Sequence, residues 1–77
     1  MISNKLLTFE LNNKDERLEI HLNQEGLNDL IAYLENLKSK YKDHLHLMTD
    51  TWGGNELTNE KQGKDNLLIN HVKIYIW

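Results

Sequence analysis

Apolar and polar residues alternate along the first stretch of the chain. Leu7, Phe9 and Leu11 interleave with Leu6, Thr8, Glu10 and Asn12, a period of two that predicts a half-buried strand over residues 5–12. The run Asn12-Asn13-Lys14-Asp15-Glu16 predicts a turn, because Asn and Asp bond their own backbone and tolerate left-handed angles. Alternation resumes over residues 17–23, with Leu18, Ile20 and Leu22 facing inward and Arg17, Glu19 and His21 facing out. Two such runs joined by a short polar turn make a hairpin. After Asn23 the period lengthens: Leu27, Leu30, Ile31, Leu34, Leu37 and Tyr41 recur at three- and four-residue spacing, which predicts an amphipathic helix. Asn23 is suited to cap its start, with Glu25 and Asp29 near the positive end of the dipole and Lys38, Lys40 and Lys42 near the negative end. Such a helix would run about 26 Å, enough to cover one face of a small sheet.

Two further strands complete the pattern. Residues 44–49 put Leu45 and Leu47 on one face and His44, His46 and Met48 on the other. Residues 67–77 form the longest run, with Leu68, Val72, Ile74 and Ile76 on one parity and His71, Lys73, Tyr75 and Trp77 on the other. Between them, residues 50–66 form a polar loop that carries Trp52; a loop this long in so small a chain is usually functional or disordered. The expected fold is α+β, a two-layer β-β-α-β-β arrangement in which a four-stranded sheet carries one helix on one face. Residues 1–77 make a single domain, and the second face of the sheet is left to solvent or a partner.

Composition narrows the function. Nine Lys and Arg against twelve Asp and Glu give a net charge of −3, and the Lys cluster at Lys38, Lys40 and Lys42 is short; both argue against the basic stripe that a phosphate-tracking nucleic-acid binder needs. Without cysteine there is neither a disulfide framework nor a thiol nucleophile, and the chain fits a reducing compartment. No long apolar run follows Met1, so neither a signal peptide nor a membrane span is expected, and the expected location is the cytoplasm. The acidic excess suits a basic protein partner.

The candidate chemistry collects on the open face. By parity this face gathers His21, His44, His46 and His71 with Met48, Tyr75 and Trp77. Three imidazoles on one side of a sheet could hold Zn²⁺ or Cu²⁺, but no carboxylate or Cys completes a known signature, so no metal or other cofactor is assigned. Tyr, Trp, Met and His are also the residues enriched where proteins meet proteins. Trp52-Gly53-Gly54 is neither a phosphate loop nor a dinucleotide fingerprint. It reads as a tight turn that anchors an indole, or as a rigid recognition loop with Asp50 and Glu56. Catalysis is poorly provided: the only serines, Ser3 and Ser39, lie far from the loop, and so small a sheet leaves little room for a pocket of several hundred cubic ångströms. An enzyme is not expected.

The string His44-Leu45-His46-Leu47-Met48-Thr49-Asp50-Thr51-Trp52-Gly53-Gly54-Asn55-Glu56-Leu57 carries the reading further. With Glu25-Gly26-Leu27 and Asn70-His71-Val72-Lys73-Ile74-Tyr75, it resembles the immunity protein thirty-two family of bacterial polymorphic toxin systems. The resemblance implies a non-catalytic, cofactor-free antidote that binds and blocks the toxic domain of a neighbouring gene's product, often a nuclease. It assigns no toxin-contacting residues. Parity and exposure alone nominate Trp52, Asp50 and Glu56 on the loop, with His46, Met48, His71 and Tyr75 on the sheet. Two alternatives stand beside this reading: a metal module built on His44, His46, His71 and His21, and a homo-oligomeric structural protein whose decorated face meets its own copy.

Overall fold

The structure is a computed structural model that describes residues 4–77. Strands β1 (Leu7–Asn12) and β2 (Arg17–Leu22) form the expected antiparallel hairpin, with Leu7 opposite Leu22, Phe9 opposite Ile20 and Leu11 opposite Leu18. Helix α1 (Gln24–Lys38) follows at once. Asn23 caps it: its Oδ1 accepts the backbone N–H of Gly26 at 2.9 Å and that of Leu6 at 3.0 Å. The second bond ties the helix start to the residue immediately before β1. Gly26 is required there, because a Cβ at this position would lie 1.8 Å from the carbonyl oxygen of Leu6.

The helix is shorter than its apolar pattern. It ends at Lys38, where Ser39 turns its hydroxyl onto the Asn36 carbonyl at 2.8 Å. Tyr41 therefore lies outside the helix and is 82% exposed. Leu37 is buried and Leu30 and Tyr33 pack on the core, whereas Ile31 and Leu34 stay largely in solvent.

Five strands in two sheets replace the expected single sheet of four. Strand β3 (His44–Met48) is followed by a 3₁₀ turn (Asp50–Trp52), and the long final run is divided into β4 (Leu67–Ile69) and β5 (His71–Tyr75). One sheet has the order β2-β1-β4 and the other is β3-β5; all pairings are antiparallel. The division falls at Asn70. Its carbonyl accepts the Thr49 N–H at 3.1 Å, and its side-chain oxygen accepts the Thr49 hydroxyl at 2.7 Å. The chain thus bends from β1 toward β3, and the core-facing parity changes with it. Ile69 stands opposite Phe9 and packs on the core, and Leu68 stands opposite Glu10, although its parity had placed it inward. Beyond the bend, Val72 and Ile74 face the core as expected.

The gap opened by this departure is filled by the long loop. Thr58 donates its N–H to the Leu7 carbonyl at 2.8 Å and accepts the Leu7 N–H on its hydroxyl at 3.0 Å. Leu57, 3% exposed, donates to the Met48 carbonyl at 3.1 Å. The pair occupies the fork between β1 and β3, and Leu57 joins Leu7, Phe9 and Leu47 in the core. Further along, the loop wraps over the opposite face of β1. Thr8 and Glu10, expected outward, have no exposed surface. The face left open by the helix is thus covered at β1 and open at β3 and β5.

Candidate functional site

The β3-β5 register builds the open face residue by residue. His44 stands opposite Tyr75, His46 opposite Lys73 and Met48 opposite His71. Period-two geometry sends these side chains to one side while Leu45, Leu47, Val72 and Ile74 go to the core. His44 Nε2 lies 3.1 Å from His46 Nε2, and His46 Nδ1 lies 2.7 Å from His71 Nε2. The rings continue at both ends. Trp52 lies 6.4 Å from His71 between centroids, Tyr75 5.1 Å from His44, and Trp77 stacks on Tyr75 at 6.0 Å with 9° between planes. Six rings therefore form one ladder: Trp52, His71, His46, His44, Tyr75, Trp77. Three of them are widely open to solvent, Trp52 at 59%, Tyr75 at 49% and Trp77 at 87%.

The imidazole contacts have a direction. Each neutral ring has one N–H and one lone pair. The Asp43 carboxylate lies 3.8 Å from His44 Nδ1 and favours the proton there. With that tautomer and neutral rings, His44 Nε2 would accept from His46 Nε2, and His46 Nδ1 from His71 Nε2. Burial, together with the neighbouring His44, His71 and Lys73, pushes the His46 pKa below the ordinary histidine value and keeps the middle ring neutral.

This geometry is unsuited to a single metal ion. His46 uses one nitrogen toward each neighbour, so the three rings form a chain and do not converge on a point. Among the described residues no group of three or more His, Cys, Asp or Glu is placed to hold a metal. His21 is absent from the cluster: it sits on β2, 2.8 Å from Glu19 and 4.0 Å from Glu10. Arg17 and Glu19, which share the outward parity of His21, lie with it in the other sheet.

The loop residues divide by role. Gly53 adopts φ +89°, and Gly54 passes so close to β3 that a Cβ would meet the Met48 carbonyl oxygen at 2.5 Å. These two glycines fold the loop back and leave the Trp52 indole 59% exposed, so the turn does not anchor it against the molecule. Glu56 accepts the Met48 N–H at 3.0 Å, and Asp50 accepts from the Asn59 side chain. Both carboxylates thus brace the loop. Met48 is half-buried beneath it. A shallow cleft of about 650 Å³ runs between His44, His46 and Met48 on one side and residues 53–56 on the other, larger than the size of the sheet had suggested.

The profile of a family described as Immunity protein 32 matches residues 17–72, most of the chain. The chain belongs to this family. The match takes in β2, the helix, the Trp-Gly-Gly turn and the start of β5, and so includes every ring of the ladder except Tyr75 and Trp77. No curated protein and no solved structure gives a significant match. Membership implies an immunity protein with a toxin protein as its partner. No helix among the described residues is long and apolar enough to cross a membrane. The ladder adds His44 and Trp77 to the nominated residues; their i,i+2 spacing from His46 and Tyr75 was the signal for both.

Proposed function

We propose that the chain is a cytoplasmic, non-enzymatic antidote that occludes a polymorphic toxin domain, a nuclease, through the ring ladder and the Trp52 loop. The observation that carries this reading is the ladder itself. Trp52, Tyr75 and Trp77 expose large aromatic surface next to a chain of hydrogen-bonding rings, the composition of a protein-binding hot spot. His46 and His71 are its central rings, Met48 lies half-buried beside them, and Asp50 and Glu56 hold the loop that presents Trp52. The net charge of −3 favours encounter with a basic nuclease.

The test is co-expression with the toxic C-terminal domain encoded beside this gene, scored by colony survival and by co-purification. Survival with a stoichiometric complex is expected. Trp52→Ala and Tyr75→Ala should each weaken that complex by roughly ten- to a hundredfold with the thermal midpoint unchanged. Killing in the presence of folded protein would refute the antidote reading. Unchanged affinity in both variants would move the contact surface away from the ladder.

A further inference from the structure

The sheet β2-β1-β4 ends in a strand whose outer edge has no partner among the described residues. Its free backbone groups can be named. Asn23 donates its N–H to the Leu6 carbonyl at 3.2 Å, and bonded and non-bonded pairs alternate along an antiparallel ladder. The bonded pairs of β1 and β2 are therefore Thr8 with His21, Glu10 with Glu19 and Asn12 with Arg17. The N–H and C=O groups of Leu18, Ile20 and Leu22 point away from β1. The same strand exposes Leu18 at 58% and Ile20 at 46%. Natural edge strands are usually blunted by Pro, Lys, a bulge or a covering loop. This one has apolar residues at the positions whose backbone is free.

We propose that β2 pairs with β2 of a second copy about a two-fold axis through Ile20. In this register Ile20 faces its own copy, Leu18 faces the second copy's Leu22, and Glu19 faces the second copy's His21. About six new backbone hydrogen bonds form, from the pairs at Ile20 and at Leu18 with Leu22. Strand overlap and side-chain pairing together favour this register and this occupant: an axis through Ile20 pairs residues 18–22, whereas one through Leu18 pairs only residues 17–19. Centring the axis on Glu19 would set two carboxylates against each other, which is unfavourable. Centring it on Ile20 places each His21, already 2.8 Å from its own Glu19, between two carboxylates. A two-fold-related copy meets each Glu19 with an imidazole at both ends, as an isologous interface requires. The product is a continuous six-stranded sheet, and none of the ladder residues takes part.

The chain has no cysteine, which permits a specific test on the protein alone. The pair facing across the axis is a bonded antiparallel pair, with Cα atoms about 5.5 Å apart, within disulfide reach. Ile20→Cys should give a covalent dimer on mild oxidation, whereas Leu67→Cys, somewhat more exposed on the opposite edge at β4, should stay monomeric. Sedimentation velocity of the unmodified protein should show a concentration-dependent dimer in the micromolar range. Ile20→Lys should weaken that dimer at least about tenfold with an unchanged circular dichroism spectrum. A monomer at every concentration, equal cross-linking of the two cysteine variants, or a dimer indifferent to Ile20→Lys would each overturn the proposal.

Discussion

Burial raises the pKa of a carboxyl group, and Glu10 has no exposed surface, yet its pKa is brought down from 4.5 to about 2. Four donors outweigh the burial. The Thr8 hydroxyl donates at 2.6 Å, the backbone N–H groups of Gln62 and Gly63 at 2.9 and 2.8 Å, and the Asn66 amide at 3.0 Å. The folded state therefore releases the Glu10 proton more readily than the unfolded chain. The resulting stabilisation is complete above pH 4.5, is lost as pH falls toward 2, and amounts to up to about 3 kcal/mol. Glu10→Gln turns an acceptor-only group into one that carries its own N–H donors. It should cost about 2 kcal/mol, lower the melting temperature by about 10 °C and flatten the acid limb of the stability profile. Thermal melts between pH 2 and pH 7 check this; an unchanged acid limb would refute it. His46 works in the opposite range. Its pKa is below 6.5, so the folded state binds fewer protons than the unfolded one, and stability falls as pH drops below 6.5. An NMR titration should give His46 a midpoint under 6.5 that rises when Lys73→Gln removes the cation opposite it. A midpoint that ignores the Lys73 substitution would show that the neighbouring charge is not a cause.

At the scale of elements, the sequence reveals which side chains share a face and is silent on what covers that face. The hairpin, the helix and the histidine side of β3 and β5 follow from periodicity, because each depends on neighbours two to four residues away. The burial of Glu10 depends on residues 62, 63 and 66, more than fifty positions along the chain, and no local pattern carries that information. The bend at Asn70 is hidden for a different reason: Leu67, Leu68 and Ile69 are all apolar, so a change of inward parity leaves no mark. The loop over residues 50–66 was legible only as a loop, since the place of Leu57 and Thr58 is fixed by a gap that the bend itself creates. The Trp-Gly-Gly turn could be recognised, but not that its glycines serve to push the indole outward. Gly26 is a comparable case with a testable sign. In an exposed helix, Gly→Ala stabilises by roughly 1 kcal/mol. Here the added methyl meets the Leu6 carbonyl oxygen at 1.8 Å, and Gly26→Ala should instead destabilise by about 1–3 kcal/mol. Urea denaturation decides it, and a gain in stability would mean that the helix start is free to move away from Leu6.

The whole molecule places its two accessible features on different sheets. The ring ladder lies on β3 and β5, and the free edge lies on β2. The sheets are nevertheless coupled through shared parts. Residues 67–75 run from β4 in one sheet into β5 in the other, and Leu57 with Thr58 bonds to β3 and β1 together. Neither sheet can lose its order without exposing the common core of Leu7, Phe9, Leu47 and Leu57. Unfolding in urea should accordingly be a single transition. Both tryptophans, Trp52 and Trp77, report on the β3-β5 side, while circular dichroism reports on the helix and both sheets. The two signals should share one midpoint, and separate midpoints would show that the sheets open independently.

The strand that divides at Asn70 also sets a timetable. A ribosome delivers the hairpin and the helix first, and both are built from contacts close in sequence, which form quickly. Strand β3 emerges next and has no partner, because its mate is β5, more than twenty residues further along. His71 and Tyr75 arrive with that mate. The ladder thus comes into being only when β5 pairs with β3, as one segment closes both sheets, so a nascent chain lacks the ladder surface until residues 71–75 have been made.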